Sequence, residues 1–228
     1  MSAHARAESW EHSRTTTRAA GHDSVPARWT AEEPLVGSFA EEQMRGLVAK
    51  VFLADQERAA RHVLLGAVDS ETQSWELSTQ LGLALARETI GTVLVARGDV
   101  NLAPAAKSRT SVRESCLRLG PNLWMLPDAG DDGTDALPPL AYQTDALLQQ
   151  VRREFDYSIL HVAWSRLLSE ATRLGKASDG LILTLGTGTR RVVARRMRQS
   201  LAVAGVPLIG AVLTGRTFPV PEGVYRRL

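Results

Sequence analysis

The chain has 228 residues, 44% hydrophobic and 23% charged, the composition of a soluble globular protein of one or two domains. The formal charge is only +2, from 27 Lys+Arg against 25 Asp+Glu, so bulk charge gives no reason to expect nucleic acid. The single cysteine, Cys116, excludes an internal disulfide framework and a CxxC metal or redox pair. The five histidines show no helical ligand spacing, and no metal is expected. Only Lys50, Lys107 and Lys176 are lysines, so chemistry that needs a lysine has three candidates.

No run approaches the roughly 20 apolar residues of a membrane span. No apolar signal core stands near the N-terminus, and the expected location is the cytoplasm. Residues 1–35 are Ala, Arg, Ser, Thr, His and Glu with little apolar periodicity, and read as a flexible tail. Trp10 and Trp29 are its exceptions. Residues 36–228 read as one α/β domain.

A helix is expected from Ser38, with Phe39, Met44, Leu47, Val48, Val51 and Phe52 mostly on one face. Strands are expected at His62–Val68, Thr92–Ala96, Leu123–Leu126, Tyr157–Val162, Gly180–Leu185 and Leu208–Leu213. Most are continuous apolar runs, as in strands covered on both faces. Helices are expected between them on three patterns: Leu77, Leu81 and Leu85; Leu140, Ala146, Leu147 and Val151; and Val193, Met197 and Leu201. The last exits at Gly205, with Pro207 beyond. A further helix is expected over Ser111–Leu119, with Cys116 as small apolar filler. Gly98–Arg109 and the acidic stretch Asp128–Pro139 read as loops. Alternating strands and helices predict a parallel sheet with right-handed crossovers.

Ligands of such sheets bind beyond the carboxyl ends of the strands, here at the loop Asp69–Ser74 after the first strand. A phosphate loop needs glycines for close backbone approach, a lysine, and a Ser/Thr hydroxyl for magnesium. This loop has neither glycine nor lysine. Asp69 and Glu71 would repel a polyphosphate, and Trp75 follows where a small hydroxyl residue is expected.

From about Ser38 to Leu213 the chain resembles the bacterial tyrosine kinases of capsule and exopolysaccharide synthesis. These belong with the septum-site and chromosome-partitioning ATPases among deviant P-loop ATPases. The resemblance runs through FAEEQMRGLVAKV, HVLLGAV…STQLGLALARETIGTVLVARGD, PNLWMLP, FDYSILHVAW and ASDGLILTL…RRVVARRMRQSLAVAGVPLIGAVLTG. It implies a three-layer, doubly wound, mostly parallel P-loop NTPase-like sheet.

Carried over by position, the resemblance implies a degenerate nucleotide site. The family's phosphate-binding lysine falls at about Ser74, with its glycines near Glu71 and Gln73. Asp69, Ser70, Glu71, Thr72, Gln73, Ser74 and Trp75 thus occupy the nucleotide loop. The second acidic motif reads Arg97-Gly98-Asp99, leaving Asp99 as the one surviving acid. His161 replaces the Walker B aspartate, Val162-Ala163-Trp164 replaces Thr-Pro-Pro, Thr214 stands for the terminal asparagine, and Tyr225 remains of the tyrosine cluster. Phosphoryl transfer rests on positioning and charge, and these positions supply little of either. Arg97 reads as an ion pair of Asp99 or a surface residue, with a phosphate contact as the alternative. His161 reads as a satisfied core or cleft histidine rather than a base.

The family's self-association helix half survives as Glu42-x-x-Arg45, whose bland reading is an i, i+3 pair on a solvated face. Eight arginines stand against Glu222 from Gly186 to Leu228. Arg190, Arg191, Arg195, Arg196 and Arg198 share one helix, a solvated face or a basic contact surface.

Three functions follow as expectations. The first is a non-catalytic regulatory or scaffolding relative of the exopolysaccharide kinases. It needs no cofactor, has a membrane chain-length or export protein or an active kinase as partner, can self-associate, and reaches the membrane only through a partner. The second is an active tyrosine autokinase with a displaced site that binds ATP and Mg and labels Tyr142 or Tyr225. The third is an adaptor that binds nucleic acid or anionic membrane through the arginine helix.

Overall fold

The structure, a computed structural model, describes residues 39–54, 59–70, 72–97, 111–126, 141–175 and 177–215. The expected tail over 1–35, the loops Gly98–Arg109 and Asp128–Pro139, and Glu71, Asp99, Lys107, Lys176 and Tyr225 lie outside the described residues.

Among the described residues twelve α-helices and strands follow in chain order: α1 Phe39–Val51, β1 His62–Ala67, α2 Ser74–Glu88, β2 Val93–Arg97, β3 Leu117–Arg118, β4 Leu123–Met125, α3 Ala141–Glu154, β5 Tyr157–Val162, α4 Leu167–Leu174, β6 Gly180–Gly186, α5 Arg191–Val203 and β7 Leu208–Thr214. They form one seven-stranded sheet in the order β3-β4-β2-β5-β1-β6-β7. All neighbours are parallel except the short β3, which runs against β4. No described helix is long and apolar enough to cross a membrane.

The continuous apolar strands are covered on both sides, as their sequence predicts. Val63, Leu65, Val93, Val95, Ile159 and Ile182 point to one face and pack with Val48, Val51, Phe52, Leu81 and Leu85 of the α1–α2 layer. The alternate residues Leu64, Leu94, Ala96, Leu160, Leu181 and Leu183 pack with Leu147, Val151, Leu167, Ala171, Leu174 and Leu201 of α3, α4 and α5. Each fully buried leucine or isoleucine contributes roughly 1.5–3 kcal/mol. Gly82 lets α2 approach β2, because a Cβ there would lie 2.3 Å from Val95 Cγ2.

The exit of α5 is a Schellman motif. Gly205 takes φ 71°. Its N–H donates to the Ala202 carbonyl at 3.1 Å, and the Val206 N–H to that of Leu201 at 3.0 Å. Leu201 and Val206 then pack in the same core.

Four expectations are corrected. Ser111–Leu119 is not a helix. One 3₁₀ turn, Arg113–Ser115, leads into β3, because Glu154 collects the Val112 and Arg113 N–H groups and the Ser111 hydroxyl while Leu117 and Arg118 pair with β4. The helix α4 stands where none was expected. Val193 does not face the core: it is 40% exposed, and Leu201 is the buried residue of α5. Arg45 pairs with Glu88 at 2.9 Å and with Glu41 at 3.6 Å, not with Glu42, so it ties α1 to α2.

Candidate functional site

The site lies where the carboxyl ends of β1 and β5 meet the N-terminus of α2. A cavity of about 330 Å³ opens there, lined by Ala67, Thr72, Gln73, Ser74, Trp75, Glu76, His161, Ala163 and Trp164. The loop from Asp69 is a closed turn. One oxygen of Asp69 accepts the Thr72 N–H at 3.1 Å and the Thr72 hydroxyl at 2.7 Å. The other accepts the hydroxyl of Thr189, from the loop after β6, and Thr189 Oγ1 in turn accepts the Gly186 N–H at 2.9 Å. The Ser74 N–H donates to the Thr72 carbonyl at 2.8 Å. Ser70 is exposed.

Helix α2 starts at Ser74 with no side-chain cap, and Glu76 supplies a carboxylate in its first turn. Ser74 Oγ meets His161 Nε2 at 2.8 Å. His161 stands on β5 opposite Arg97 of β2 and is only 7% exposed. Its Nδ1 is buried without a hydrogen-bond partner among the described residues. We assign the ring proton to Nε2, which donates to Ser74 and leaves a lone pair rather than an N–H unmet. Burial, then the Arg97 charge, lowers the His161 pKa to about 4. The His161 ring stands edge-on to Trp75, with centroids 5.6 Å apart. The Arg97 guanidinium lies 4.8 Å from the other ring partner, the Trp75 indole. No group of three metal-ligating side chains occurs among the described residues.

The sequence-predicted residues Asp69, Thr72, Ser74, Trp75, Arg97 and His161 therefore come together at one strand end. Glu42, Arg45 and the arginines of α5 do not join them. Two contributors were missed. Thr189 is 120 residues from Asp69, and Trp164 was read only as a family substitution.

A second cavity, of about 240 Å³, lies at the amino ends of the strands, bordered by Arg61, His62, Arg113, Arg152 and Asp156. There Asp179 accepts the Arg61 and His62 N–H groups at 2.7 and 2.8 Å and pairs with Arg152. Burial works against the Asp179 carboxylate, but these donors outweigh it and hold its pKa below the ordinary range. His62, bonded to Ser158 at 3.0 Å, is lowered to about 4 by burial and then by Arg152.

This sheet order, with a strand–loop–helix at its centre, defines a P-loop NTPase-like fold. No family model matches the chain, and no curated protein matches it. Solved structures do. The chimerical protein CapA2B2 matches with a TM-score of 0.65 at 12% identity, covering 78% of this chain and 86% of that one. The kinase domain of the Escherichia coli tyrosine kinase ETK matches with a TM-score of 0.60 at 15% identity, covering 80% and 79%. A ParA family ATPase from Chlorobium tepidum matches with a TM-score of 0.54 at 13% identity, covering 68% and 73%. The chain shares its fold with bacterial tyrosine kinase domains and ParA-type ATPases.

Proposed function

We propose that this protein is a catalytically degenerate relative of the exopolysaccharide tyrosine kinases that acts as a regulatory or scaffolding module. One observation carries the reading: two of the loop's backbone donors are taken by the loop's own acceptors. A phosphate loop binds by aiming free backbone N–H groups at the anion. Here the Thr72 and Ser74 N–H groups bond within the loop, and the Ser74 hydroxyl oxygen accepts from His161. The residues present do not fit a magnesium nucleotide, so no phosphoryl-transfer step is derived for them. By the family's spacing, Asp69 would set a carboxylate against a polyphosphate, and Trp75 stands at the position of the small magnesium-binding hydroxyl residue. Asp99 belongs to this reading by position alone.

The partner we propose is the cytoplasmic part of a membrane chain-length or export protein, or an active kinase of the same system. Self-association through α1 is less favoured, because Arg45 is engaged within its own chain. Titration calorimetry with Mg·ATP tests the reading. No saturable heat and no radiolabel from γ-labelled ATP are expected. Saturable binding with phosphate transferred to Tyr142 or Tyr225 would establish the autokinase alternative instead.

A further inference from the structure

The amino ends of β1, β2 and β5, at the opposite end of the sheet from the nucleotide loop, carry an arginine cluster that the proposed function does not use. Arg61, Arg113, Arg152 and Arg153 border the cavity of about 240 Å³ there, together with Glu154 and Asp156. They come from separate parts of the chain. Arg61 precedes β1, Arg113 stands in the 3₁₀ turn before β3, and Arg152 and Arg153 lie in the last turn of α3. A helix C-terminus favours a cation, which accounts for Arg152 and Arg153 alone.

Two of the four are held within the chain. Arg152 pairs with Asp179 at 2.6 Å and donates to the Ala177 carbonyl at 3.0 Å. Arg113 donates to the Glu154 carbonyl and lies over the Trp124 and Phe155 rings. Arg61 and Arg153 are exposed, and neither guanidinium takes part in an ion pair among the described residues. The two acids of the rim are engaged elsewhere. Glu154 accepts from the Ser111 hydroxyl, the Val112 and Arg113 N–H groups and the Gln150 amide. Asp156 accepts the N–H and the hydroxyl of Thr92. The arginine charges reach the cavity wall: burial, then the Arg152 charge, lowers the His62 pKa to about 4, with Arg61 acting in the same direction and Asp179 and Asp156 against it.

We propose that this cavity binds a phosphate group through the Arg61 and Arg153 guanidinium forks. Such forks match phosphate oxygens bidentately. The two come from different elements, which suits oxygens set around a tetrahedron better than the two in-plane oxygens of a carboxylate. The volume lies below the roughly 300–1,000 Å³ of sites for drug-sized ligands, so it fits one phosphate group and not a nucleotide. The group belongs either to the free anion or to a phosphorylated side chain. The inference does not rest on the reading of the nucleotide loop.

Titration calorimetry of the full chain with inorganic phosphate at low ionic strength tests it. Saturable binding is expected, at least about tenfold tighter than that of acetate and weakened by salt. The double variant Arg61→Gln, Arg153→Gln should bind phosphate at least about tenfold more weakly, with an unchanged urea midpoint because both side chains are exposed. The double variant Arg195→Gln, Arg196→Gln removes the same charge outside the cavity and should stay within about twofold of wild type. The proposal is overturned if phosphate gives no saturable heat, if acetate binds equally, if the Arg61, Arg153 variant binds as wild type does, or if both double variants lose binding equally. Phenyl phosphate and phosphoserine identify the source. Binding tighter than that of inorganic phosphate assigns a phosphorylated side chain and weaker binding the free anion, and both uphold the site. Mg·ATP heat that survives Arg61→Gln, Arg153→Gln would remove the scaffold reading and leave this site standing.

Discussion

Ser74 Oγ and His161 Nε2 meet at 2.8 Å although 87 residues separate them. The bond joins the first turn of α2 to β5, across the place where the fold's ligand site lies. It satisfies one nitrogen of a buried imidazole and holds the start of α2 against the sheet. It also makes the pair the sharpest probe of whether this strand end is built for itself or for a ligand.

Removing either partner should destabilise the chain by more than a surface change. Ser74→Ala leaves the imidazole with no hydrogen bond to either nitrogen, a loss of about 1–3 kcal/mol. His161→Ala strands a buried hydroxyl and opens a cavity, about 2–4 kcal/mol. A double-mutant cycle by urea unfolding should show a coupling of about 1 kcal/mol. Additive losses would mean that the bond contributes nothing of its own.

The pH dependence follows from two buried histidines. His161 and His62 are lowered from 6.5 to about 4 in the folded chain. Above pH 6.5 both rings are neutral folded and unfolded, so they add no pH dependence. As pH falls from 6.5 to about 4, the unfolded chain takes up protons that the folded rings refuse, and stability falls. Each ring accounts for at most about 3 kcal/mol over that window. Urea midpoints measured from pH 7.5 to 4.5 should fall in wild type, and fall less in His62→Gln. An unchanged slope in the variant would clear His62 of the effect.

How far the fold was legible depends on element length and cover. The central strands read correctly because both faces are buried, which leaves unbroken runs such as Tyr157–Val162. Helix α4 was hidden because Leu167, Ala171 and Leu174 span only two turns among polar residues. Val193 misled because a valine at helical spacing carries no mark of whether the sheet reaches it; here Leu201 is buried and Met197 partly so. At the site, the missing glycines and lysine were plain in the sequence. The Ser74–His161 and Asp69–Thr189 contacts were not, because they depend on the register of β1 between β5 and β6.

The Cys116 thiol should be inert. Burial, then the Glu154 charge, raises its pKa to about 12, so the thiolate is scarce at neutral pH. Thiol-disulfide reagents should label the native chain orders of magnitude more slowly than the urea-unfolded chain. Equal rates would place the thiol in solvent.

Asn122 closes the end of α2. Its Nδ2 donates to the carbonyls of Ala86, Thr89 and Gly91 at 3.1, 2.8 and 3.0 Å. These are acceptors that the last turn of the helix and the turn after it leave unpaired. Asn122→Ala should cost about 1–2 kcal/mol in urea unfolding through the lost donors. Asn122→Asp should cost more at neutral pH. The carboxylate would face three carbonyl oxygens near the negative end of the helix dipole, where an anion is disfavoured. The aspartate variant should recover stability as the pH falls and the carboxyl protonates, the reverse of the trend set by the two histidines. If alanine and aspartate prove equally destabilising at pH 7.5, the amide acts by filling space and not by donating.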